Sequence, residues 1–92
     1  MANQELSPEE SRRVETRLRD ELNAARVDYV LANANFKAML DMRKELGPNQ
    51  PDGDFKLRDA LHRQQRTLLR YSTAARAFAN FIVHGNKPDP NL

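Results

Sequence analysis

The chain has 92 residues, of which 30% are charged and 39% apolar, and its formal net charge is +2. A chain of this length forms at most one small domain with a modest core, and the absence of cysteine excludes a disulfide framework. The slight net charge favours no class of partner by itself. The abundance of Ala, Leu, Arg and Glu is typical of long helices that pack on one another.

Targeting and membrane segments are not predicted. Charged residues are dense from Glu5 to Glu21, which is incompatible with the apolar core of a signal peptide. The most apolar window, residues 71–83, carries Arg76 and is shorter than the roughly 20 residues that cross a bilayer. We therefore predict a cytoplasmic protein that does not contact a membrane.

A long first helix is predicted over residues 8–46. Ser7 can cap the free backbone N–H groups, Pro8 suits the first helical position, and Glu10 completes a capping box. No breaker follows until Gly47, which can adopt the left-handed C-cap conformation, and Pro48, which cannot continue the helix.

The loop predicted over residues 47–53 is followed by a second helix, which we expect over 54–84 with Asp54 or Asp52 as its N-cap. Gly85 and Pro88 then form a second stop, and residues 85–92 are predicted to be an irregular tail. Residues 1–92 are thus expected to form a single all-α domain, an antiparallel two-helix hairpin.

Apolar residues recur at alternating steps of three and four along both helices, which predicts coiled-coil-like seams. The expected seam of the first helix is Leu18, Leu22, Ala25, Tyr29, Ala32, Phe36, Met39, Arg43 and Leu46. The expected seam of the second is Leu57, Leu61, Gln64, Leu68, Tyr71, Ala75, Phe78 and Ile82. An apolar flank is expected on one side of these seams, formed by Met42 of the first helix and Ala60, Ala74 and Phe81 of the second.

Folding the chain back at the predicted loop also predicts a register. Ala32 should face Tyr71, Tyr29 should face Ala75, and Ala25 should face Phe78. Each of these layers sets a ring against an alanine, which is how a close-packed interface is filled.

Two asparagines flank the predicted seam of the first helix. The predicted register places Asn33 near Ser72 and Asn35 near Thr67, so we expect both asparagines to form hydrogen bonds across the helix pair. The alternative, that these amides bind a ligand inside a bundle, is weaker because no other ligand-binding signature accompanies them.

A second apolar stripe, here called the outer stripe, lies on the first helix away from the predicted seam. It consists of Val27, Val30, Leu31, Ala34 and Ala38. A monomer would leave this stripe in water, which is unusual for a contiguous patch. We predict that it is the interface of a homodimer, which would be a four-helix bundle, although a different protein could cover the same surface.

No catalytic, metal or cofactor site is predicted. His62 and His84 are expected to point outward, and neither is paired with a second ligand at metal-binding spacing on one face. Arg43 is expected to lay its stem on the core and extend its guanidinium into water. An enzyme with a site inside the bundle is therefore the third and weakest hypothesis.

A basic row in the second helix gives the alternative function. It consists of Arg58, His62, Arg63, Arg66 and Arg70. Such a row could follow a phosphate backbone in a salt-dependent complex, but no aromatic residues are interleaved for base stacking. The sequence thus favours a non-enzymatic interaction or structural module that acts as a homodimer, with a small nucleic-acid-associated protein as the alternative.

Overall fold

Two antiparallel α-helices make up the described part of the chain in this computed structural model. The structure describes residues 6–47 and 51–85. Helix α1 spans Pro8–Leu46 and helix α2 spans Pro51–His84. Arg43 pairs with Asp54 near the connection, and Asp28 pairs with Arg70 further along, so the two helices run in opposite directions. The predicted all-helical hairpin is confirmed.

Capping residues determine where α1 begins and where it ends. The Ser7 hydroxyl accepts a hydrogen bond from the Glu10 backbone N–H at 3.1 Å, and the Glu10 carboxylate accepts one from the Ser7 N–H at 3.4 Å. At the other end, Gly47 has φ 84° and donates its N–H to the carbonyl of Arg43. Glycine adopts this positive φ without the steric cost of a Cβ, so α1 stops where the sequence predicts.

Helix α2 begins earlier than predicted. It starts at Pro51, three residues before the expected start at Asp54, so Asp52 and Asp54 lie inside the helix instead of capping it. Proline suits the first helical position because its fixed φ is helical and it has no N–H to satisfy. The predicted loop residues 48–50 and most of the predicted tail, residues 86–92, lie outside the described residues.

The register of the hairpin differs from the predicted one by one to two helical turns. Tyr29 stacks on Tyr71 instead of facing Ala75, and Gln64 bonds to Asn33, although the predicted register sets Asn33 near Ser72. The predicted layers of ring against alanine are therefore wrong. The shorter connection contributes to this shift, because it brings earlier residues of α2 opposite any given residue of α1.

The seam of α2 is also rotated from its predicted position. Ala60 and Phe81, expected on the flank, are buried, whereas Leu68 and Ile82, expected in the seam, are 45% and 54% exposed. The face of α2 that packs on α1 is formed by two sets of buried or half-buried residues. One set, Leu57, Gln64, Tyr71 and Phe78, belongs to the predicted seam, and the other consists of positions 60, 67, 74 and 81.

Small residues dominate the core that results. Its buried apolar residues are Leu18, Ala25, Ala32, Ala60 and Phe81. Alanines at such positions let two helix backbones approach closely, but they bury little apolar surface. The hairpin is 63 Å long and only 20 by 16 Å across, so it is a thin rod with a narrow internal core.

Candidate interaction surfaces

One of the two asparagines forms the predicted kind of bond with a different partner. Asn33 accepts a hydrogen bond from the Gln64 side-chain amide at 2.6 Å, not from Ser72. Asn35 is half-buried, but the hydroxyl of its predicted partner Thr67 donates to carbonyls of its own helix. The Asn33 amide is thus a cross-helix contact, as expected, whereas its predicted location beside Ser72 is wrong because of the register shift.

Arg43 is held at the loop end of the hairpin and does not simply extend into water. Its Nε lies 2.6 Å from Oδ1 of Asp54, and the two side chains are 42% and 46% exposed. An open cleft of about 400 Å³ lies beside this ion pair, lined by Phe36, Arg43, Asp54, Leu57, Arg58 and Leu61. The cleft combines apolar walls with two arginines and one carboxylate.

The hairpin has two distinct sides, which the cross-helix contacts define. Three contacts lie along one side: Arg43 with Asp54, Asn33 with Gln64, and the Arg19 guanidinium over the Phe78 ring at 5.9 Å. The ion pair between Asp28 and Arg70 lies along the opposite side.

The first of these sides carries apolar residues from α2, of which Leu68 and Ile82 are exposed and Leu61 and Ala75 are half-buried. Residues seven apart occupy the same line along a helix in a coiled-coil-like pair, so Leu61, Leu68, Ala75 and Ile82 share the line of Asp54. On α1, Arg26, Asn33 and Leu40 share the line of Arg19. We call this surface the groove face: Arg19, Arg26, Asn33 and Leu40 of α1 with Leu61, Leu68, Ala75 and Ile82 of α2. Sequence patterning missed it because it assigned these α2 residues to the seam.

The outer stripe is exposed and faces away from α2. Leu31 at its centre is 57% exposed, and Val27 and Val30 are exposed to a similar degree. Ala34 and Ala38 are exposed as well. Leu31 comes three residues after Asp28 and is therefore its neighbour on the helix surface, so the centre of the stripe is closer to the side of the Asp28–Arg70 pair. The outer stripe and the groove face are therefore on different sides of the rod.

Every member of the basic row is exposed. Arg70 is already paired with Asp28. Among the described residues, Arg58, Arg63 and Arg66 have no ion-pair partner, so three guanidinium groups of α2 present unneutralised charge to solvent. His62 lies on the same outward surface.

The described residues contain no cluster of three or more His, Cys, Asp or Glu that could hold a metal ion. Across the described ranges, neither helix has a stretch long and apolar enough to cross a lipid bilayer. The candidate functional features of the described chain are thus its two apolar surfaces and the basic row.

Comparison of the chain with protein-family models, with curated proteins and with solved structures finds no match.

Proposed function

We propose that the hairpin is a non-enzymatic interaction or structural module that acts as a homodimer. The observation that carries this proposal is the imbalance between buried and exposed apolar side chains. The core contains two large side chains, Leu18 and Phe81, alongside three alanines. The exposed large apolar residues are Val27, Val30, Leu31, Met42, Phe55, Leu68, Leu69, Ile82 and Val83. A chain that exposes nine large apolar side chains and fully buries only two is suited to burying some of the exposed ones against a partner.

Two exposed apolar surfaces are available for that contact. The outer stripe is the one that the sequence predicts, and its exposure on α1 is what an interface role requires. The groove face is the one that the observed register creates. Either contact would bring the helices of two hairpins together.

The test is the solution mass, measured by sedimentation or light scattering over a wide range of protein concentration. The proposal expects twice the chain mass of 10.6 kDa. A wild-type protein that stays at the monomer mass at the highest concentration, with its helical spectrum intact, would contradict the homodimer. The absorbance ratio of the purified protein should be recorded as well, because co-purifying nucleic acid would support the alternative.

The alternative function is that of a small nucleic-acid-associated protein using the basic row. It is supported by the three exposed arginines that lack an ion-pair partner among the described residues. Binding through them would be sequence-independent and would weaken steeply with salt, because each phosphate contact releases condensed counterions.

A further inference from the structure

We infer that the second copy of the chain packs on the groove face, in a two-fold dimer whose axis runs parallel to the helices. In that arrangement α1 of each copy lies over α2 of the other, and the four helices form an antiparallel bundle. This inference rests on the proposed homodimer and names the surface that makes it. The outer stripe then remains on the outside of the bundle.

The groove face includes residues of both helices, as a bundle contact requires. A helix in a four-helix bundle contacts two neighbours, so each hairpin must present both of its helices to the other. The groove face does so, since Asn33 and Leu40 come from α1 while Leu61 and Leu68 come from α2. The outer stripe belongs to α1 alone and can contact one helix or the edge of another hairpin.

The distribution of residue sizes points to the same face. Three of the five buried apolar residues of the hairpin are alanines, Ala25, Ala32 and Ala60, whereas the larger Leu68 and Ile82 are exposed on the adjacent line. Burying a leucine or isoleucine side chain removes far more apolar surface from water than burying an alanine does. The larger residues of α2 thus point to a further packing partner on this side.

At its loop end, the groove face is complementary in charge to a second copy under this symmetry. A two-fold axis parallel to the helices leaves heights along the rod unchanged, so α1 meets the other copy's α2 at the levels found within one hairpin. Arg43 therefore lies level with Asp54 of the partner subunit as well as with its own Asp54. The two ion pairs at the loop end would combine into a cluster of alternating charges, with opposite charges at matching positions across the interface.

The Asn33–Gln64 pair also fits this arrangement. The hydrogen-bonded pair lies at the edge of the seam, on the groove face, and Gln64 lies between Leu61 and Leu68 along α2. The same symmetry brings the two Asn33–Gln64 pairs to one level, where they form a polar layer between the leucines of the two hairpins. A polar layer within an apolar contact fixes register and the number of helices in coiled coils.

The experiment compares two neighbouring leucines of α2. Leu68 lies on the groove face and Leu69 points outward from it, and in the single hairpin they are 45% and 66% exposed. Leu68→Glu and Leu69→Glu therefore introduce the same charge on the same helix, one residue apart. We expect Leu68→Glu to reduce the solution mass to that of one chain, because a carboxylate enters an apolar contact. We expect Leu69→Glu and Leu31→Glu to keep the dimer mass.

The other outcomes separate this inference from the proposed function. If Leu31→Glu is monomeric while Leu68→Glu remains a dimer, the outer stripe is the interface: the inference is overturned and the homodimer stands. If Leu69→Glu dissociates as completely as Leu68→Glu, the inference is also overturned, because a charge outside the groove face would then disrupt the dimer as much as a charge on it. A monomeric wild type would overturn both. Circular dichroism of each variant at high protein concentration distinguishes dissociation of folded chains from loss of helix.

Discussion

Tyr29 of α1 stacks on Tyr71 of α2, with ring centroids 6.0 Å apart and ring planes inclined by 27°. The contact sets a large side chain against a large one, in a hairpin whose fully buried positions are mostly alanines. Both tyrosines are half-buried, so the rings close the edge of the contact while the alanines on either side allow the backbones to approach. The pair is a direct marker of the register.

The first prediction uses this pair in a double-mutant cycle. Tyr29→Ala and Tyr71→Ala should each destabilise the hairpin, and their coupling energy should be about 0.5–1.5 kcal/mol, the usual value for an aromatic pair beyond its buried area. Urea denaturation of the two single variants and the double variant measures it. Tyr29→Ala combined with Phe78→Ala is the control. These rings are about two turns apart, so the two substitutions should have additive effects on the free energy of unfolding. Additivity of the two tyrosines would mean that the register is different in solution.

Helix ends are the part of the fold that local chemistry determines, and α1 shows this. Ser7, Pro8, Glu10 and Gly47 act through bonds to backbone groups within one turn, so their effect can be predicted without knowing the rest of the fold. The start of α2 was missed because two aspartates resembled N-caps more strongly than Pro51 resembled a first helical residue. The earlier start of α2 contributes to the shift of the cross-helix pairs.

The rotation of the α2 seam was not predictable because two different sets of positions fit the seam pattern. Residues 57, 64, 71 and 78 form a seam equally well with positions 60, 67, 74 and 81 or with positions 61, 68, 75 and 82, since both choices give steps of three and four. Counting apolar residues favours the second set, which contains Leu61, Leu68 and Ile82. Close approach favours the first, because Ala60 and Ala74 occupy less space. Hydrophobic periodicity does not distinguish a seam within one chain from a seam between chains.

The second prediction tests the close approach of the two helices. Ala32 is fully buried, so Ala32→Phe should overpack the seam and lower the free energy of unfolding by about 1–3 kcal/mol. Ala34→Phe, two residues away on the exposed outer stripe, should change it by less than about 0.5 kcal/mol. Thermal and urea denaturation at one fixed protein concentration compare the two. An equal loss at Ala34 would show that the outer stripe is also covered in solution.

The third prediction concerns the amide pair. Asn33→Ala removes the acceptor of the Gln64 amide in a half-buried position, so it should cost about 0.5–1.5 kcal/mol in the free energy of unfolding. Asn35→Ala is the matched control on the same helix, and it should cost less because Asn35 has no bond to Thr67 to lose. If the two variants are equally stable, the Asn33–Gln64 bond contributes nothing measurable and the polar layer cannot specify the register.

The fourth prediction concerns the ion pair between Arg43 and Asp54. Both side chains remain more than a third exposed, so the pair should contribute no more than about 1 kcal/mol to a single hairpin, and salt should screen it. If the groove face is the dimer interface, the same pair is shielded from solvent there. Asp54→Asn should then weaken dimerisation more than it destabilises the isolated chain, which concentration-dependent unfolding resolves. Asp28→Asn, which breaks the pair on the opposite side of the hairpin, is the control and should leave dimerisation unchanged.

The last prediction decides between the homodimer module and the nucleic-acid alternative. Asp28 neutralises Arg70, while Arg63 and Arg66 have no ion-pair partner among the described residues. If the basic row contacts a phosphate backbone, Arg63→Ala and Arg66→Ala should weaken duplex binding, and each should reduce the slope of log affinity against log salt by about 0.9. Asp28→Asn should act in the opposite direction, because it releases Arg70 to make a further phosphate contact. Fluorescence anisotropy with a labelled random-sequence duplex at several salt concentrations measures all three variants. A wild-type protein that does not bind the duplex at low salt would eliminate the alternative, whereas opposite effects of the arginine and aspartate variants would establish the row as the binding surface.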